Sequence, residues 1–204
     1  MKTLRNTKNL VTIAMLGAVG ALLMLWELPL TFVAPSFYKL DFSEVPVLIG
    51  TFALGPVAGV LTETVKILIK LVIKPTTTGG VGELANFIIG CAMVLPAGLL
   101  YLRNKTRKTA YFSLGLGTLT MTAVGVVVNA TVLLPFYSKF MPLEQIVAAG
   151  SAIFPAVNSV WSFALWCVAP FNLIKGIAVS LLTALLYKRI SRVIKEFGQK
   201  NKRN

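Results

Sequence analysis

Residues 45–73 read VPVLIGTFALGPVAGVLTETVKILIKLVI, an apolar stretch broken once, at Gly55-Pro56. Whether this stretch crosses a bilayer once or twice decides the fold. Proline lacks a backbone donor and its ring clashes with the preceding turn, so it ends or kinks a helix there. Charge settles the count. Fourteen of the twenty Lys and Arg residues fall in three clusters: Lys2, Arg5 and Lys8; Arg103, Lys105, Arg107 and Lys108; and the tail from Lys188 to Arg203. Each cluster flanks an apolar run, as cytoplasmic segments do under the positive-inside rule. One crossing would put the 103–108 cluster opposite the N-terminal one, whereas two crossings put both inside. Gly55-Pro56 is therefore read as a tight cytoplasmic turn between a short second helix and a third that runs to about Lys74.

Composition agrees with a lipid solvent. Of 204 residues, 56% are hydrophobic and only 13% charged, and the mean hydropathy is +0.78. A soluble domain carries about a quarter charged residues, so this chain could not cover a water-facing surface. The formal charge of +13 is confined to helix flanks, where it sets orientation and meets anionic lipid. No basic face with interleaved aromatics suggests nucleic acid, and none is expected as a partner.

Outward from the Gly-Pro turn, a first helix is predicted over about Asn9–Trp26, followed by an irregular stretch from Glu27 to Glu44. The turn residues of Pro75–Gly82 mark an external loop. A fourth helix is predicted from Glu83 to about Leu102 and a fifth from about Ala110 to Leu134. Residues 146–168 are apolar enough for another crossing, but that would carry the C-terminal cations outside, and Pro155, Asn158 and Pro170 interrupt the run. An external or half-inserted segment is expected there, with a sixth helix from about Ala169 to Tyr187. The expected fold is an all-α integral membrane protein: one domain over residues 1–204, a six-transmembrane-helix bundle with both termini cytoplasmic.

No P-loop is present, so any energy for transport comes from a partner or an ion gradient. Histidine is absent and the seven acids form no close cluster, so neither catalytic nor metal-ligating residues are expected. Cys91 and Cys167 read as small buried hydrophobes. The polar residues inside helices carry more information, because they cost free energy in lipid and face a cavity or a partner. Asn86, Asn129, Asn172 and Lys175 all fall at the outer end of their helices. Each alone reads equally well as a cap or an interhelical bond; four at one depth on three helices favour a pocket. Amides plus an ammonium suit a neutral, carbonyl-rich heterocycle, with Trp26, Tyr38, Phe42 and Phe171 as apolar walls. The third helix carries Glu63, Lys66, Lys70 and Lys74 as a polar stripe, read as structural pairing, partner contact or ligand contact. In the first helix, Ala14/Ala18 and Gly17/Ala21 are small pairs four apart that admit a close backbone, from the bundle itself or from a partner.

The order of several stretches resembles the S components of energy-coupling factor (ECF) importers, in particular the riboflavin-specific ones. They are Leu40-Asp-Phe-Ser-Glu-Val-Pro46, Phe52-Ala-Leu-Gly-Pro-Val-Ala-Gly59, Gly80-Val-Gly-Glu-Leu-Ala-Asn-Phe87, Asn129 through Leu133-Leu-Pro-Phe-Tyr137, and Pro170-Phe-Asn-Leu-Ile-Lys-Gly176. The resemblance implies a multi-pass protein of the bacterial plasma membrane that captures riboflavin from outside, with the vitamin as transported substrate and no cofactor. It would dock on a membrane coupling protein driven by two cytoplasmic ATPases. Binding positions carry over to Asn129, Asn172 and Lys175, with Tyr38, Leu40, Asp41 and Asn86 closing the site. Ala14 and Ala18 match the family's surface for the coupling protein. The segment 138–166 departs from the pattern, being longer and more apolar than expected. The alternatives are an S component for FMN or another vitamin, and a proton-coupled small-molecule carrier.

Overall fold

The computed structural model describes residues 6–76 and 78–200, with 187–200 as backbone only. Lys2, Arg5 and the side chains of the C-terminal cationic cluster therefore lie outside the described residues. Seven helices are present among those described. Helix α1 (Thr7–Met24) is capped by Asn6, whose side chain accepts from the Lys8 N–H. A two-residue antiparallel ribbon, β1 (Leu28–Pro29) and β2 (Lys39–Leu40), pairs Leu28 with Leu40 and Pro29 with Lys39. It closes the loop that the sequence marks only as irregular.

Helices α2 (Glu44–Leu54) and α3 (Pro56–Ile73) follow, separated by Gly55 alone. Gly55 has φ +101, a conformation that costs a side-chain-bearing residue dearly. Pro56 then opens α3 at the first helical position, where no N–H is missed. The Gly-Pro turn is thus where it was predicted. Helix α4 (Val81–Arg103) runs through Pro96.

Helix α5 spans Arg107–Tyr137, longer than expected. Its turn Asn129–Leu133 is π-helical, with the Leu134 N–H reaching back to the Asn129 carbonyl. A short α6 (Leu143–Ser151) follows. The last helix, α7, begins at Val160 under a Ser159–Ser162 capping box, passes through a π-helical turn at Ala164–Val168 and continues over Ala169–Lys200. The expected start at Ala169 is therefore corrected: the 146–168 segment is part α6, part irregular and part α7. A single residue separates each π turn from a proline, Pro135 or Pro170. A wide turn carries one extra residue, which relieves the clash that a proline ring makes with the turn before it.

Among the described residues, four helices are long and apolar enough to cross a membrane: Thr7–Met24, Val81–Arg103, Arg107–Tyr137 and Val160–Leu186. Helix α2 is apolar but shorter, and α3 carries Glu63, Lys66 and Lys70 along its length. Neighbouring pairs pack α1 on α3, α3 on α4, α4 on α5, α5 on α7 and α2 on both α3 and α7. One apolar cluster centres on Val47, Leu48, Phe52, Met93, Tyr101 and Met121. A second gathers Val33, Leu40, Leu134, Phe163, Val168 and Phe171 beneath the ribbon loop. On α1 the small pairs divide. Gly17 and Ala21 face inward, and a Cβ on Gly17 would stand 2.6 Å from Val65 Cγ1 of α3. Ala14 is exposed and Ala18 half-buried.

Candidate ligand-binding site

A cavity of about 570 Å³ opens between the ribbon loop, α3, α4, α5, α6 and α7. That is within the range of small-molecule sites, roughly 300–1,000 Å³. Asn86, Asn129, Asn172 and Lys175 all line it, as do Tyr38 and Asp41. Leu40 is not a lining residue; it is buried in the apolar cluster behind the wall. Of the expected aromatic walls, Tyr38 and Phe171 line the cavity. Phe42 packs against the two apolar clusters instead, and Trp26 is 80% exposed. Phe37, Tyr137, Phe140, Met141 and Ile146 also line it. Sequence reading missed Phe37 because its loop is irregular, and the other four because the 137–146 segment has no periodicity that places it in space.

The two buried asparagines of the cavity are held alike. Asn129 Nδ2 donates to the Gly125 carbonyl at 2.7 Å, one turn back on α5. Asn172 Nδ2 donates to the Val168 carbonyl at 3.0 Å, one turn back on α7. Each amide therefore turns its Oδ1 away from its own helix. Asn129 Oδ1 accepts from the Tyr38 hydroxyl at 2.7 Å, which ties the ribbon loop to α5. Among the described residues no donor reaches Asn172 Oδ1, which leaves an acceptor for a ligand. Three residues on, Lys175 Nζ lies 2.8 Å from Asp41 Oδ2, with both side chains 7% exposed. Asp41 Oδ1 accepts the Ser43 N–H at 2.9 Å, turning the chain into α2.

The polar stripe of α3 is engaged by acids from other elements as well as its own. Lys66 Nζ lies 2.6 Å from Glu44 Oε1 on α2 and 2.8 Å from Glu63 Oε1. Lys70 pairs with Glu83 at 2.5 Å, and Lys74 with Glu27 at 3.1 Å. Glu27 also holds Lys39 at 2.6 Å, so it bridges the ribbon loop and the end of α3 at the cavity mouth. Partial burial raises the Glu27 carboxyl, but hydrogen bonds and charge from Lys39 and Lys74 hold it below its ordinary value. Its contribution is thus present above the usual carboxylate range and lost as pH falls through its depressed pKa. These partners are well exposed, so the bridge contributes little to stability.

No group of three or more Cys, Asp or Glu residues able to hold a metal occurs among the described residues. The lining combines amide and ammonium groups with aromatic side chains. It contains no nucleophile–base pair of the His-dependent kind.

The family model described as "ECF transporter, substrate-specific component" matches residues 8–187. The chain is 34% identical over 192 residues to the riboflavin transporter RibU of Staphylococcus aureus (strain TCH60), covering 94% of this chain and 95% of that one. It is 33% identical over 192 residues to the riboflavin transporter FmnP of Bacillus subtilis (strain 168), covering 94% and 96%. A solved structure of the S component of a bacterial ECF transporter superposes with a TM-score of 0.71 at 34% identity, covering 92% of this chain and 98% of that one. With the family model spanning most of the chain and two relatives alike over nearly all of it, this protein belongs to the substrate-specific components of ECF transporters.

Proposed function

We propose that the chain captures riboflavin at the outer face of the bacterial plasma membrane and delivers it through an ATP-driven ECF importer, without catalysis. The observation that carries this reading is the juxtaposition of Asn172 Oδ1, an unengaged acceptor, and the Lys175 ammonium on one wall of the cavity. The imide edge of a flavin presents carbonyl, N–H and carbonyl in a row. Asn172 would accept from the N–H, Lys175 would donate to a carbonyl, and Asn129 and Asn86, which also line the cavity, would add to that edge. Phe37, Tyr38 and Phe171 would cover the ring. Lys39, Lys70 and Lys74 also line the cavity but are paired with Glu27 and Glu83, which favours the neutral vitamin over FMN. The relatives' names support the same substrate.

In this reading residues 1–204 form one domain of six transmembrane helices, α1 to α5 and α7, with α6 outside and both termini cytoplasmic. Helix α3 spans despite its charges because they face protein: Lys66 is 1% and Glu63 0% exposed. Purified protein should bind riboflavin and turn yellow. Asn172→Ala should weaken that binding by at least about 1 kcal/mol, because the ligand N–H is left unpaired in a buried site. A variant that binds riboflavin like the parent in a titration would remove Asn172 from the site.

Delivery needs the membrane coupling protein and its two ATPase subunits, and Ala14 and Ala18 on the outer side of α1 are the proposed contact. Leu10, Val11 and Met15 are exposed beside them. Ala14→Trp should hold a partner backbone away and forfeit packing that lipid does not return. Uptake into cells and co-purification of the coupling protein should both fall while riboflavin binding survives. Normal uptake would place the contact elsewhere.

A further inference from the structure

We infer that Gly125, which lines no wall of the cavity, is a positioning residue that sets ligand selectivity by fixing the Asn172 amide. The inference rests on the riboflavin reading above.

Gly125 faces α7 where α5 and α7 pack. A Cβ built on it would lie 2.7 Å from Asn172 Nδ2 and 3.1 Å from Asn172 Cγ. Favourable contacts between heavy atoms need about 3.5 Å, so no side chain fits while the amide stays where it is. Asn172 is short and its Cγ is held close to α7, so the amide has little travel. Its way out is to rotate off the Val168 carbonyl, and that rotation also swings Oδ1 away from its place in the cavity. The donor and acceptor pattern facing the ligand is then lost.

The same glycine supports the second amide, because its carbonyl accepts from Asn129 Nδ2 at 2.7 Å. That bond uses backbone atoms and survives a change of side chain. Gly125→Ala therefore strikes Asn172 and spares Asn129. Alanine is also the better helix former, so a loss of binding would not come from weakening α5. Gly115, on the same helix, provides the contrast. It is exposed, and a Cβ there meets no atom within 4 Å.

The test is a double-mutant cycle read with two ligands, riboflavin and N3-methylriboflavin, which lacks the imide N–H. Gly125→Ala should weaken riboflavin binding roughly tenfold or more, the cost of one lost buried hydrogen bond. Gly115→Ala should bind like the parent. The parent should prefer riboflavin over the N3-methyl compound, and Gly125→Ala should lose most of that preference. In an Asn172→Ala background, Gly125→Ala should add little, since the group it displaces is gone. Two results overturn the inference alone: Gly125→Ala binding riboflavin like the parent, or its full loss persisting in the Asn172→Ala background. A general packing defect would weaken both ligands in proportion and leave the preference intact, and that also overturns it. A parent that binds no riboflavin overturns the functional reading together with this inference.

Discussion

Lys66→Met is expected to destabilise the folded protein by about 3–5 kcal/mol, the usual cost of removing one partner from a buried ion pair. The lysine sits at the centre of α3 with 1% of its surface exposed, against Glu44 at 3% and Glu63 at 0%. Its ammonium lies 2.6 Å from Glu44 Oε1 and 2.8 Å from Glu63 Oε1, and it donates to Ser43 Oγ at 3.3 Å. Oε2 of both glutamates finds no hydrogen-bond donor among the described residues. Methionine keeps the apolar stem but leaves two carboxylates in an apolar interior with no cation between them. The consequence reaches the ligand, because Ser43 and Glu44 open α2 directly after Asp41. Thermal melting in detergent should show the loss, and riboflavin binding should fall with it. Adding Glu44→Gln and Glu63→Gln removes the stranded charges and should recover most of the stability. A Lys66→Met protein that melts like the parent would show that the cluster is not what holds α2 against α3.

Lys175→Met should abolish most ligand binding and also destabilise the protein, for two separable reasons. The ammonium is 2.8 Å from Asp41 Oδ2 and lines the cavity. Loss of a charged donor to a ligand carbonyl costs about 1.5–3 kcal/mol of binding. Stranding the buried Asp41 carboxylate costs about 3–5 kcal/mol of stability. Asp41→Asn combined with Lys175→Met removes the stranded charge, so it should restore melting but not riboflavin affinity. If the double variant recovers binding as well, Lys175 acts on the ligand only by holding Asp41 and the ribbon loop in place.

Some of this was legible residue by residue. The Gly55-Pro56 turn follows from one glycine and one proline in adjacent positions, and the structure breaks the helix there. The Glu63–Lys66 contact is an i, i+3 pair on one helix, so spacing alone brings the two together. Asn86, Asn129, Asn172 and Lys175 stood out because polar groups in apolar helices need a reason, and all four line one cavity. Other features depended on partners that local rules do not reach. Pro170 reads as an interruption, yet the π turn at Ala164–Val168 lets α7 pass through it and begin at Val160. Lys70 and Lys74 read as one stripe with Lys66, yet they pair with Glu83 and Glu27.

Local chemistry was enough to mark a chain built for lipid, to place the helix break at Gly55 and to single out polar residues too costly to be incidental. Those are consequences of composition, backbone chemistry and helical spacing, which act over a few residues. Tertiary structure alone decided that Lys175 meets Asp41 across 134 positions of chain and that Tyr38 donates to Asn129 across 91. It also decided that Gly125 leaves room for Asn172. The reason is physical: in an apolar interior each buried charge or amide is stable only beside a complementary group. Which group that is depends on how whole helices pack, not on their separation along the chain.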